Sequence, residues 1–283
     1  GWRVFVYDTK LAMQGDRLFS VSTRAFGWGD YPMNLMLREW HADTGWGTTS
    51  LLTALPNSAA AGYGVQGHRF QVRPDGFGVV LYADRPQTDP QEVKLLEVGL
   101  PFNSTTTTIV SAADRWGTIG DVAVDSQGVS HLVWMETDEL GGVYELWYAT
   151  HHTITGLSTP VRVSEPGETS VRTATVGVYG GGRVLVAYGV SGAGTPYGGV
   201  FLRKITDTVS DRVQVGATDN AYSPGLRSTW DMPEPNVIDL TWAEAYSWGS
   251  QLLHQELSWG SVGGSDTAAV TIQSNELAAT FTL

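Results

Sequence analysis

The chain contains no cysteine in its 283 residues. Disulfide bonds, cysteine-ligated metal sites and cysteine nucleophiles are therefore excluded. Long apolar runs are also missing, since none approaches the ~20 residues that a helix needs to cross a bilayer, and we expect no membrane insertion. Charged residues are scarce as well, at 16% of the chain, against about a quarter in an average globular protein.

The charge that is present is mainly negative. The chain has 29 Asp and Glu against 17 Lys and Arg, which gives a formal net charge of −12. A nucleic-acid partner would need a basic face for its phosphates, and an anionic membrane surface would repel an acidic protein. We therefore predict neither partner and interpret the acidity as a contribution to solubility.

What the chain does contain is a repeated segment, rich in glycine and aromatic residues. Its clearest copy, Asp121–Ser164, has four predicted strands, with a tight Ser126-Gln-Gly128 turn after the first. The second strand of each copy begins near residue 18, 77, 129, 183 or 236. Tandem repeats of four short strands are typical of a β-propeller. The sequence therefore predicts an all-β fold, a β-propeller of four-stranded antiparallel blades.

We predict one domain over residues 1–283. It has five blades, with six as the alternative, and the segment 277–283 is a closing strand or the start of a further segment. The five blades are placed at about 2–55, 66–112, 118–165, 170–217 and 225–274.

The second strands are predicted at Arg17–Arg24, Phe77–Asp84, Val129–Glu136, Arg183–Val190 and Asn236–Glu244. Aromatic residues stand near the ends of four of them, and we expect these rings to pack between neighbouring blades: Tyr82, Trp134, Tyr188 and Trp242, with Ser22 as the exception. The turns that precede these strands are tight and contain glycine in the second, third and fourth repeats. The fifth repeat has the turn Met232–Asn236, and in the first the longer connection Thr9–Asp16 is predicted.

The third repeat resembles the sialidase-type propeller repeat, also called the BNR or Asp-box repeat. The residues that carry the resemblance are the strand–Asp–x–x–Gly–strand of Asp121–Trp134, the Tyr-Ala strand Glu145–Ala149 and the closing strand Ser158–Ser164. In the first repeat, His41–Thr48 stands at the place of the family's Asp-box turn but lacks its opening Ser and closing Trp. The resemblance is to the fold of the family and implies a propeller.

The resemblance also implies where chemistry would occur, because sialidases grip a carboxylate with three arginines and use a Tyr–Glu pair and an acidic residue. Arginines begin four innermost strands, and we name them as candidates: Arg3, Arg69, Arg172 and Arg227. Carboxylates end three second strands at the same predicted channel mouth: Asp84, Glu136 and Glu244. These groups either neutralise one another in salt bridges or form a mouth that binds a sugar or an anion. A glycosidase would instead need two carboxylates across the channel, and Asp121, Glu136, Asp84 and Glu244 are the candidates.

Other motifs add little chemistry. Loop tryptophans that can stack on sugar rings are further ligand-binding candidates: Trp28, Trp46, Trp116 and Trp248. The adjacent His151 and His152 point apart on an extended chain, and both are predicted to be solvated. We predict no metal site and no cofactor, and no Gly-x-Ser-x-Gly nucleophile motif occurs.

We interpret the chain as a non-catalytic recognition or display module on an extracellular, cell or virion surface, within a larger assembly. The predicted partner is a glycan or a protein bound by the propeller loops. The alternative is a glycoside hydrolase, sialidase-like or of another propeller type, acting at the channel mouth.

Overall fold

A computed structural model describes fourteen segments of the chain: residues 4–26, 33–53, 64–86, 90–100, 105–140, 142–168, 171–179, 182–190, 199–210, 212–216, 221–226, 237–246, 249–258 and 269–272. In these segments the structure has 22 β-strands and no helix. A membrane-spanning helix is thus absent from this part of the chain.

The chain divides into two compact units, Gly1–Arg162 and Val163–Leu283. The first unit contains three antiparallel sheets in which the strands follow chain order. Sheet 1 is formed by β1 (Val4–Gln14), β2 (Arg17–Phe26), β3 (Asn34–His41), β4 (Gly45–Trp46) and β5 (Ser50–Leu51). Sheet 2 is formed by β6 (Gly64–Val72), β7 (Phe77–Arg85), β8 (Glu92–Gly99) and β9 (Thr105–Ile109). Sheet 3 is formed by β10 (Trp116–Val124), β11 (Ser130–Thr137), β12 (Glu145–His152), β13 (Gly156–Leu157) and β14 (Val161–Arg162).

The second unit contains two sheets of the same antiparallel type. Sheet 4 is formed by β15 (Val171–Tyr179), β16 (Arg183–Val190), β17 (Gly199–Ile205) and β18 (Val213–Gly216). Sheet 5 is formed by β19 (Ala221–Leu226), β20 (Val237–Tyr246), β21 (Gly249–Ser258) and β22 (Ala269–Ile272). In sheets 1 and 3 the outermost position is shared by two short strands, which both pair with the third strand. Five sheets of this kind confirm the predicted fold class.

Aromatic and branched side chains fill the spaces between successive sheets. Tyr82 packs with Phe19 and Leu35 between sheets 1 and 2, and Trp134 packs with Leu81 between sheets 2 and 3. Each of these five side chains is buried, and an aromatic side chain removes ~150–250 Å² from water. The predicted packing role of the second-strand aromatics is confirmed in the first unit.

The same role holds for Trp242 in the second unit. Trp242 packs with Tyr179 and Leu240. Tyr188 is fully buried, and its ring lies 5.7 Å from that of Phe201 on the neighbouring strand of sheet 4.

Tight turns join the first and second strands of sheets 2, 3 and 4, as predicted, while the turn predicted at Met232–Asn236 lies outside the described residues. Gly76, Gly128 and Gly182 adopt positive φ in sheets 2, 3 and 4, a conformation that glycine adopts at little cost. The longer connection predicted in the first repeat is wrong. There Gln14 pairs directly with Arg17, so β1 runs through the predicted loop and turns at Gly15 and Asp16 alone.

Equivalent backbone hydrogen bonds join successive sheets of the first unit. The amide of Val65 donates to the carbonyl of Met33 (3.0 Å), and the amide of Gly117 donates to the carbonyl of Gln91 (2.7 Å). In both cases the second residue of a first strand is tied to the residue just before the third strand of the preceding sheet. These bonds fix where β6 and β10 begin.

Candidate functional site

Each of the five first strands is interrupted by a β-bulge close to its start. In the first unit the register shifts between Val6 and Asp8 in β1, between Val65 and Gly67 in β6, and between Ile119 and Asp121 in β10. The corresponding shifts in β15 and β19 lie at Val171/Thr173 and Tyr222/Gly225. A bulge adds one residue to a strand and re-aims the side chains beside it. Near the start of each first strand, the side chains beside the bulge therefore point in directions that regular alternation would not give.

Four charged residues of the first unit lie directly after these bulges or two positions further along the strand. We call Asp8, Lys10, Arg69 and Asp121 the charged row. Lys10 Nζ lies 3.0 Å from Asp8 Oδ1, and Arg69 Nε lies 3.8 Å from Asp121 Oδ1. The four side chains keep between 21% and 39% of their surface exposed. The row thus places two acceptors and two donors on β1, β6 and β10, and all four side chains remain partly exposed.

A buried histidine supports the row between sheets 1 and 2. His68 Nε2 lies 3.0 Å from the carbonyl oxygen of Val21, and its Nδ1 lies 3.0 Å from Thr23 Oγ1. A carbonyl only accepts, so Nε2 carries the proton and Nδ1 accepts from the Thr23 hydroxyl. Burial lowers the pKa of His68, against the opposite effects of the Val21 carbonyl and the Asp8 charge. The nearby Lys10 and Arg69 charges lower this pKa further. His68 is therefore neutral at pH 7.

The carboxyl of Asp8 is ionised beside this neutral ring. Its burial acts to raise the pKa, but the hydrogen bond from Lys10 and the charges around it, including Arg69, outweigh burial and lower the pKa. Asp8 Oδ2 lies 3.8 Å from His68 Nδ1. Asp8, Lys10 and His68 were not predicted as site residues from the sequence. Lys10 fell within the predicted loop Thr9–Asp16. The alternation of Asp8, Lys10 and Ala12 on one strand face was the available signal.

Two of the predicted ligand-binding carboxylates are held by cations. Asp84 Oδ2 lies 2.6 Å from Lys94 Nζ, and the same ammonium lies 2.9 Å from Glu92. Burial would lower the pKa of Lys94, but the two carboxylates raise it more strongly. Asp84 and Glu92 are opposed across β7 and β8, so Lys94 neutralises a pair of like charges.

Glu136 has an equivalent place in sheet 3, opposed to Glu145 across β11 and β12. It is buried and accepts hydrogen bonds from Trp134 Nε1 (2.6 Å) and from the Ala112 amide (3.0 Å). Arg115 lies 3.6 Å from Glu136 and 2.8 Å from Glu145. The cations that bind these carboxylates, Lys94 and Arg115, were not foreseen as partners.

The other candidates are dispersed. Trp46 is 45% exposed, with the Arg38 guanidinium 5.3 Å from its ring centre, and Trp116 is half-buried at the start of β10. Arg172 is exposed at the bulge of β15 in the second unit. Glu244 pairs with Gln251 across β20 and β21, where only the backbone is described. Four candidates lie outside the described residues: Arg3, Arg227, Trp28 and Trp248.

The prediction that both adjacent histidines are solvated is wrong for His151. Its side chain is buried, 3.8 Å from Glu97 Oε1, because β12 directs alternate residues into the space between sheets 2 and 3. His152 faces the other way, and its Nδ1 accepts the amide of Ile154 in the following turn (3.1 Å). His41 accepts the amide of Asp43 in the same way in sheet 1. Among the described residues, no three His, Asp or Glu side chains lie close enough to share a metal ion.

Comparison with known proteins relates the chain to others by fold. No family model and no curated protein matches the sequence. The intramolecular trans-sialidase from Ruminococcus gnavus matches with a TM-score of 0.65 and 8% identity, over 94% of this chain and 83% of the other. A protein of unknown function from Dyadobacter fermentans matches with a TM-score of 0.63 and 12% identity, over 96% and 83%. A thermostable family-43 glycoside hydrolase matches with a TM-score of 0.53 and 9% identity, over 97% and 96%. At these identities the similarity concerns the β-propeller fold alone.

Proposed function

We propose that this chain is a non-catalytic module that binds carbohydrate at the charged row. The observation that carries the proposal is the placement of Asp8, Lys10, Arg69 and Asp121, partly exposed, on three successive first strands. Bulges at the same level of those strands hold the row in place. A site built on paired strands is more rigid than one built on loops, which favours selective binding.

The chemistry of the row suits sugars. A sugar hydroxyl both donates and accepts, while a carboxylate only accepts and guanidinium and ammonium groups only donate. A row that combines these groups can engage neighbouring hydroxyls of one ring with hydrogen bonds to charged partners, which are the stronger ones. Similar solved structures include a glycoside hydrolase and a trans-sialidase. That likeness supports a sugar ligand, although fold alone does not decide function.

The state of Asp8 favours binding over proton donation at the charged row. A glycosidase needs a carboxylic acid with a raised pKa as its proton donor, beside a second carboxylate. Among the described residues, the Asp and Glu side chains with a resolved shift are Asp8, Asp75 and Asp125, and each has a lowered pKa. In all three cases burial acts in the opposite direction and is outweighed by hydrogen bonds and nearby cations.

A protein partner is the second candidate. The connection between β11 and β12 carries Leu140 and Val143, 65% and 55% exposed, beside the exposed Asp138 and Glu139. Exposed apolar side chains grouped on one loop are typical of docking sites. We also propose that the chain acts outside the cell, on a cell or virion surface and as part of a larger assembly.

Binding to a glycan array, followed by calorimetry on the best ligands, tests the proposal. We expect wild-type protein and an Arg17→Ala control to bind alike, because Arg17 pairs with Glu39 beside the β1–β2 turn. Arg69→Ala should weaken binding at least about tenfold, the loss of about 1.4 kcal/mol. Equal binding by Arg69→Ala would place the site elsewhere. Sugar release by wild type that is lost in Asp121→Asn would contradict the non-catalytic proposal.

A further inference from the structure

We propose that the charged row selects neutral saccharides and rejects those that carry a carboxylate. This inference rests on the proposed function and adds the class of ligand. It follows from the balance of charge within the row. Asp8 and Asp121 are matched by Lys10 and Arg69, and the neighbouring His68 hydrogen-bonds as a neutral ring.

The guanidinium of Arg69 is already engaged. Its Nη1 donates to the His68 carbonyl (3.1 Å), and its Nε faces Asp121 at 3.8 Å. Two-point recognition of a ligand carboxylate needs two parallel N–H groups on one side of an arginine. With Nε directed at Asp121, the side-on pair Nε–Nη2 is available only if the Asp121 contact breaks. The end-on pair Nη1–Nη2 would have to share Nη1 with the His68 carbonyl.

An anionic ligand would also meet the two carboxylates beside this arginine. Arg69 is close enough to Asp8 to lower the pKa of that carboxyl. Asp121, on the next first strand, faces the Nε of the same arginine. A third carboxylate in this space would be repelled by both, and like charges placed together act as a barrier to the wrong ligand. The net charge of −12 on the whole chain adds a repulsive field at longer range.

A neutral sugar meets none of these obstacles. Its hydroxyls can donate to the carboxylate oxygens of Asp8 and Asp121 and accept from Lys10, without displacing the existing ion pairs. Binding that does not create or remove net charge should depend little on ionic strength. The row therefore differs in its charge from the arginine-rich mouth that the sequence suggested for a sialidase-like site.

The test uses matched sugars that differ only in whether C6 is a hydroxymethyl or a carboxylate group, such as galactose with galacturonate and glucose with glucuronate. Calorimetry at low and high salt is run on wild type, Asp121→Asn and Asp8→Asn, with a melting curve for each variant to establish that it folds. We expect the neutral member of a pair to bind wild type at least about tenfold more tightly. Asp121→Asn should reduce that preference, because it frees the Arg69 Nε and removes one repelling charge.

The outcomes are separable. Equal or tighter binding of the acidic member by wild type would overturn the selectivity and leave a carbohydrate-binding role intact. A preference that both Asp→Asn variants retain would also overturn it, because the row would then not be its cause. No binding of either member, or of any glycan on the array, would refute the proposed function and this inference with it.

Discussion

The Nδ1 atom of His151 lies 3.8 Å from Oε1 of Glu97, and it has no hydrogen-bond partner within the described segments. Arg73 binds the same carboxylate and is itself almost completely buried. The three side chains join β12 of sheet 3 to β8 and the end of β6 in sheet 2. Buried ionisable groups of this kind make the stability of the first unit depend on pH and on intact pairing.

Acidification is expected to destabilise the protein through His151. Burial lowers its pKa, and the Arg73 and His152 charges add to this against the opposite effect of Glu97. The unfolded chain therefore takes up a proton first, so stability is complete above the unfolded pKa of about 6.5 and is lost as pH falls through the folded value. The slope from one histidine cannot exceed about 1.4 kcal/mol per pH unit.

Urea unfolding of wild type and His151→Gln between pH 7.5 and 5 measures this effect. The variant should lose less stability over that range than wild type does. His152→Gln is the matched control, since His152 is the adjacent histidine and is only half-buried, and it should follow wild type. His68, whose pKa burial also lowers, contributes equally to both slopes. An unchanged slope in His151→Gln would show that the cluster does not sense protons.

Removal of the buried arginine should cost much more than removal of a similar exposed one. Arg73 pairs with Glu97 and Asp75, donates to Thr153 (3.0 Å) and lies over the ring of Phe77. Arg73→Met would leave Glu97 charged and buried, at a cost of about 3–5 kcal/mol.

Arg17 supplies the matched control for Arg73. It also pairs with a glutamate and lies over a phenylalanine ring, but it keeps about a quarter of its surface exposed. Arg17→Met should cost less than ~1 kcal/mol in denaturant unfolding. If the two substitutions cost the same, burial does not determine the strength of the Arg73 cluster.

The repeat period and the core were predictable because they depend on local pattern. The strand predicted at Phe77–Asp84 is β7, Phe77–Arg85, and Tyr82 and Trp134 are buried where apolar alternation placed them. The charged row was not predictable, because a bulge is defined only by the partner strand. The run Thr9–Gln14 reads as part of a longer connection until it is paired with β2. The Lys94 and Arg115 contacts likewise depend on cross-strand register.

Two tryptophans of sheet 3 should respond differently to the loss of the indole N–H. Trp134 Nε1 donates to buried Glu136 (2.6 Å), whereas the buried Trp147 Nε1 has no hydrogen-bond partner in the part of the chain that the structure describes. Hydrogen bonds to charged groups contribute about 1.5–3 kcal/mol. Trp134→Phe should therefore be more destabilising than Trp147→Phe by about that amount in chemical unfolding. Equal losses would mean that packing volume alone is being measured.

The bulge of β10 links stability to ligand binding through Gly120. A Cβ atom at this position would lie 2.8 Å from the carbonyl oxygen of Val133, a backbone atom that is fixed by the pairing of β10 with β11. Gly120→Ala must therefore shift the bulge, and with it the adjacent Asp121 of the charged row. We expect a loss of about 1–3 kcal/mol in stability and a weakening of saccharide binding in calorimetry.

Gly67 provides the control for Gly120, since it also adjoins a bulge. A Cβ there would meet only the end of the Ile119 side chain, at 3.2 Å, and that side chain can move. Gly67→Ala should therefore cost less than Gly120→Ala in both stability and affinity. Because Gly120 makes no side-chain contact with a ligand, weakened binding in a folded Gly120→Ala protein would show that the bulge positions Asp121. Unchanged affinity would separate the bulge from the binding site and assign it to the twist of the sheet.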